Sequence, residues 1–157
     1  MSTRACIARA EGDGFRGVYH HSDGEPAALG RTLFGLARDR TLGGVGEMLQ
    51  TLIDDHPAGW STINRADWSQ PAGFPRNGFR TTGPQCYCHG ARNEGPQPVI
   101  QDDDLTLEWA YVFDADARTM GVCERVRPHG DGEESWVLRE VVPLDGPEPD
   151  WRALGRR

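Results

Sequence analysis

Cys86-Tyr87-Cys88-His89-Gly90 brings three soft or borderline metal donors into four consecutive positions. Thiolate and imidazole are the donors zinc takes, and zinc needs four in a tetrahedron. The set this spacing suggests is Cys86, Cys88 and His89, with Cys123 as the fourth; His20 and His129 are the other donors at hand. One residue between the cysteines is tighter than most zinc knuckles use, and the adjacent Cys88 and His89 do not easily reach one ion. A second reading is a short strand that buries Cys86 and Cys88, since a free thiol packs as a small apolar group, with His89 and Gly90 turning the chain. A third is a reactive thiol at Cys88, activated by His89.

The other place for chemistry is Tyr19-His20-His21-Ser22-Asp23-Gly24-Glu25-Pro26, where a strand gives way to a helix. Asp23 can accept from the free N–H groups of the helix start, and its charge suits the positive end of the helix dipole. His21 would then bond to Asp23 or to a backbone carbonyl. The same two residues read as catalytic make His21 a general acid or base oriented by Asp23, although no nucleophile or oxyanion donor stands near them in sequence. Phosphate binding at this helix start is disfavoured, because Asp23 and Glu25 repel an anion.

The stretch from Met1-Ser2-Thr3-Arg4 through the helix after Pro26 resembles a family of small uncharacterised phage and actinobacterial proteins carrying Tyr-x-His-Trp-Asp-Gly-Tyr-Pro at this junction. Tyr19, His21, Asp23, Gly24 and Pro26 match; Ser22 and Glu25 stand where that family has aromatics. The likeness covers about the first quarter of the chain, with a looser echo at Trp109-Ala110-Tyr111. It implies a domain type and a host class, and no catalytic role.

Charge and composition narrow the classes. All 17 basic residues are Arg, and the formal charge of −7 comes entirely from residues 91–157, where 8 Arg face 15 acids. A pI near 5.2 argues against general binding to nucleic acid or to an anionic membrane, both of which call for a basic footprint. An acidic half can instead attract a basic partner or mimic nucleic acid. Guanidinium forks onto carboxylates, so a Lys-free surface should carry many Arg–Asp and Arg–Glu contacts. No stretch reaches the roughly 20 apolar residues of a membrane span, and the first residues lack the apolar core of a secretory signal. Four cysteines without such a signal are expected reduced, in a cytoplasm. Asp102-Asp103-Asp104 lacks the alternation of a calcium loop, and Gly43-Gly44-Val45-Gly46 lacks the lysine of a nucleotide loop.

The elements that must position these residues follow from periodicity. Thr3–Ala10 and Phe15–Tyr19 read as a hairpin turning at Glu11-Gly12-Asp13-Gly14, with Cys6 and Ile7 inward. Pro26 suits a first helical turn, and Leu29, Leu33, Phe34 and Ala37 form a buried stripe. A second helix over about Val45–Asp55 buries Met48, Leu49, Leu52 and Ile53 and stops before Pro57. From Gly59 to Asp104, Gly, Pro, Asn and Ser punctuate the chain while Trp60, Ile63, Trp68, Phe74 and Phe79 recur, which predicts a long ordered loop pinned by aromatics. Leu105–Phe113, Met120–Val126 and Trp136–Val142 alternate with period two and are joined by short polar turns. They predict an antiparallel meander, with Leu105, Leu107, Trp109, Tyr111 and Phe113 on one face, and with Met120, Val122 and Val126 on one face of the next strand.

The expected architecture is α+β: an N-terminal hairpin, two helices, a long ordered loop and a C-terminal antiparallel meander forming one sheet with helices on one face. Residues 1–145 make one domain and 146–157 a peripheral tail, docked by Trp151. The leading functional reading is a small intracellular binding or regulatory domain of phage or actinobacterial type, stabilised by zinc and meeting a protein partner. Two rivals stand beside it: a hydrolase or transferase using His21 and Asp23 or Cys88 and His89, and an acidic inhibitor of a host nucleic-acid machine.

Overall fold

The computed structural model describes residues 3–63, 68, 84–88, 100–101 and 106–156. Its first two strands, β1 (Ala5–Glu11) and β2 (Gly14–His20), form the expected hairpin, in register from Ala5 opposite His20 to Glu11 opposite Gly14. Cys6 and Ile7 are both buried, but on opposite sides, because neighbours on a strand point to opposite faces. Ile7 enters the main core; Cys6 joins a smaller cluster with Ala8, Phe15, Leu107 and Ala110.

Both helices form with the predicted stripes inward. Pro26–Gly30 is a π-helical turn that runs directly into α1 (Arg31–Arg38). Helix α2 (Val45–Leu49) likewise continues as a π-helical turn over Gln50–Asp54, closed by the Asp55 N–H donating to the Gln50 carbonyl at 2.9 Å. Leu29, Leu33, Phe34 and Ala37 from the first pair, and Met48, Leu49, Leu52 and Ile53 from the second, are all buried in the main core. The helices lie over one face of the sheet, where Ile7, Val18, Trp60, Tyr111, Phe113 and Val122 complete that core.

The remaining strands are β3 (Trp60–Thr62), β4 (Gln85–Cys86), β5 (Ile100–Gln101), β6 (Trp109–Asp114), β7 (Thr119–Val126) and β8 (Ser135–Pro143). They form one sheet of order β4-β3-β2-β1-β6-β7-β8, with β5 pairing alongside β2. The β6–β7–β8 meander is antiparallel as expected, yet the sheet as a whole is mixed. β1 runs parallel to β6 and β2 parallel to β3, because the helical pair carries the chain back across the sheet between β2 and β3, the kind of crossover parallel strands require.

Four expectations need correction. The stretch from Gly59 is not all loop: it supplies β3, β4 and β5, which widen the sheet beyond β2. Phe74 and Phe79 lie outside the described residues, whereas Trp60 and Ile63 are buried and Trp68 packs on the core. The strand after it begins at Trp109, not Leu105, since the Glu108 and Trp109 amides both turn to the Arg4 carbonyl. Leu107 therefore sits in the smaller cluster, across the sheet from Trp109, Tyr111 and Phe113, and Leu105 is outside the described residues. On β7 the third inward residue is Glu124, buried and held by Arg139, whose Nε and Nη2 both reach its Oε2 at 2.7 Å; Val126 is only half-buried.

The C-terminal segment folds back onto α1 through Trp151. Asp150 caps the short α3 (Trp151–Leu154), accepting from the Arg152 and Ala153 amides at 3.1 Å. Trp151 is buried edge-on against Phe34, its indole N–H donating to Glu148 at 2.8 Å. The predicted guanidinium–carboxylate pairs are present: Arg9 grips Asp54 with two bonds, Arg118 grips Asp145 with two, and Arg125 and Arg127 share Glu134.

Candidate metal centre

Three elements converge at the β4 edge of the sheet. The second helix ends at Asp54 and the chain turns through His56-Pro57-Ala58-Gly59 into β3, the Gly59 N–H donating to the His56 carbonyl at 3.0 Å. Gly59 has φ +82°, and a Cβ there would stand 2.5 Å from the Tyr19 carbonyl oxygen. Only glycine lets the turn press this close to β2. β3 then pairs with β4, Trp60 opposite Cys86, and just beyond β4 the Tyr87 amide donates to the Gly59 carbonyl at 3.0 Å. The turn and the Cys86-Tyr87-Cys88 segment are thereby stitched face to face.

The result is a donor cluster that keeps Cys86 and Cys88 of the predicted set and adds His56. Ligand atoms of His56, Cys86 and Cys88 all lie within 4.8 Å of one another. Cys86 is buried and Cys88 half-buried; the Cys88 sulfur accepts the Ala58 amide at 3.3 Å. The His56 ring rests on Trp60 with centroids 4.7 Å apart, and Trp60 is fixed in turn by its indole N–H on the Leu52 carbonyl at 2.8 Å. Two thiols and an imidazole can hold a metal ion, and an amide N–H directed at a ligand sulfur is the kind of outer contact such centres use to orient their donors.

The other predicted ligands are placed elsewhere or not described. His89 lies outside the described residues. Cys123 sits on β7 opposite Ala110, packed on the smaller cluster across the sheet from Cys86. Burial pushes its thiol up to about 11, which suits an inert packed cysteine. His20 is buried, its Nε2 accepting the Ile63 amide at 3.1 Å while Nδ1 has no hydrogen-bond partner among the described residues. His129 is exposed in the turn between β7 and β8.

At the strand-to-helix junction, His21 and Asp23 do not form the expected pair. The His21 Nδ1 lies 2.7 Å from the Tyr19 hydroxyl, two residues back on the same face. Asp23 is exposed at φ 54°, and its carbonyl, not its carboxylate, receives the Leu29 amide at 3.2 Å. The residue at the cap position is Glu25, with no side-chain bond. What fixes this corner is backbone: His21 and Ser22 amides to the Trp60 and Ser61 carbonyls, Gly24 amide to the Thr3 carbonyl at 2.9 Å, and the buried Tyr111 hydroxyl donating to the Gly24 carbonyl at 2.6 Å.

His56 is the residue sequence reading missed. Thirty positions separate it from Cys86, and only its place at a helix end before a Pro-Ala-Gly turn sets it apart. Comparison with family models, curated proteins and solved structures finds no match for this chain. No helix among the described residues is long and apolar enough to cross a membrane.

Proposed function

We propose that the chain is a small binding or regulatory domain whose β4 edge is stapled by zinc through His56, Cys86 and Cys88. The observation that carries this is the convergence of the three ligand atoms within 4.8 Å. Two thiolates neutralise the dication, and neutral imidazole completes a soft set that zinc prefers and hard cations do not. The ion would tie the end of the second helix to the two-residue β4, so binding energy becomes folding energy. Three donors leave one of the four tetrahedral positions to a further ligand, so the stapling role is assigned from where the ion would sit and not from a closed donor set. That role fits the other candidate chemistry, since the His21 Nδ1 lies against Tyr19 and the Cys88 sulfur is engaged by Ala58. A domain type without catalytic assignment is also what the resemblance of the first quarter implies, and the acidic second half suits a basic protein partner.

Elemental analysis of protein purified without an affinity tag tests the reading: about one zinc per chain is expected. Cys86→Ser and Cys88→Ser should each lower zinc content and melting temperature together, whereas Cys123→Ser should leave zinc content unchanged. Less than about a tenth of an equivalent of zinc in wild type removes the metal from the proposal.

A further inference from the structure

β8 forms one end of the strand order, paired to β7 on one flank and with no strand on the other among the described residues. The two large apolar side chains that stand most open in the described structure, Leu138 at 56% and Val141 at 48% exposure, are both on this strand. Between them lie Arg139 and Glu140. A bulge makes Arg139 the extra residue, since Cys123 faces Leu138 and the next pair is Val122 with Glu140. Arg139 consequently turns to the helix-bearing face, where Glu124 engages Nε and Nη2. Glu140, opposite Val122, is on that same face and is exposed. Leu138 and Val141, opposite Cys123 and Gly121, occupy the other face.

We infer that two copies of this chain pair through β8, edge to edge and antiparallel, about a two-fold axis normal to the sheet between residues 139 and 140. Run against itself, Leu138-Arg139-Glu140-Val141 sets Leu138 against Val141 on one face and Arg139 against Glu140 on the other, twice each. Opposite charges and aliphatic neighbours placed directly across a ladder stabilise it, and like charges in those places would oppose it. The bulge decides which partner fits. It blunts the edge for an ordinary alternating strand, which cannot put two consecutive residues on one face. A second copy carries the same doubled step and meets it in phase, as an isologous interface requires. One strand edge with four flanking side chains is at the small end of interfaces, so the dimer forms reversibly with concentration.

Sedimentation velocity on the full untagged chain from about 1 to about 300 μM tests this. The wild-type mass should climb from the 17.3 kDa of one copy toward double. Glu140→Arg, which sets Arg against Arg139, and Val141→Lys, which charges the aliphatic pair, should each weaken association by about tenfold or more. Both side chains are exposed, so far-UV circular dichroism and melting should stay as in wild type; should one variant lose its fold, the other carries the comparison. A wild type that remains a single copy at the top of the range overturns the inference. So does a dimer that a folded variant leaves intact. Zinc content should be the same in all three proteins, which separates this outcome from that of the metal proposal.

Discussion

Gly24 shows how much of the strand-to-helix junction is built by one residue. A Cβ there would stand 2.8 Å from both the Thr3 carbonyl oxygen and the Ala5 Cβ, so β1 would have to shift. Its amide and carbonyl are both committed, to Thr3 and to the buried Tyr111 hydroxyl. Gly24→Ala should cost about 1–3 kcal/mol by overpacking. Tyr111→Phe, which leaves the Gly24 carbonyl without its donor, should cost about 1–3 kcal/mol. Because the two changes strike one contact, their sum should differ from the double variant by more than about 0.5 kcal/mol. Urea denaturation of the four proteins measures all three values, and near-wild-type stability for Gly24→Ala would contradict this packing. The sequence motif was therefore legible as a constrained corner, but its reason was not. Residue types at a helix start assign Asp23 to a cap and His21 to Asp23 or a backbone carbonyl, while the structure uses backbone groups and a tyrosine 87 positions away.

At the scale of elements, what the pattern revealed divides by length and by source of stability. Helices α1 and α2 and strands β6 to β8 carry enough apolar positions for the period to be read directly. β4 and β5 have two residues each and β3 has three; such pieces exist because a neighbour pairs with them, and no local preference announces that. Glu124 breaks the apolar run of β7 because its compensating charge, Arg139, arrives from a bulge 15 residues on. His56 escaped for a related reason: a turn and a ladder bring it to Cys86 and Cys88. The closing helix, in contrast, was foreshadowed by Trp151 alone. Its anchorage predicts that Trp151→Ala costs about 3–5 kcal/mol, and that Asp150→Ala, removing the acceptor of two amides, costs about 1 kcal/mol. Thermal melts would rank them in that order. If Trp151→Ala melts with wild type, the tail contributes nothing and the domain effectively ends before it.

For the whole molecule, the buried imidazole of His20 sets a limit on acid stability. Burial first, and the neighbouring His21 second, lower it from its ordinary 6.5 to about 3. Its Nε2 is the acceptor for the Ile63 amide, so the ring proton sits on Nδ1, and a second proton would charge a core position. Between about 6.5 and 3 the unfolded chain binds a proton that the folded chain excludes. Stability must therefore fall as the pH falls, by about 1.4 kcal/mol per unit from this one group. Asp145, held down by Arg118, adds a smaller loss in the same direction once the pH drops through the carboxylate range. His20→Gln keeps an acceptor for Ile63 and removes the titration. Chemical denaturation at pH 7, 6, 5 and 4 should give a slope shallower than wild type by about one proton, with every surface carboxylate cancelling in the comparison. Parallel pH profiles for the two proteins would mean that His20 takes its proton in the fold as easily as in the open chain. The helix-covered face could not then be as dry at β2 as the packing of Trp60, Ile63 and His20 makes it.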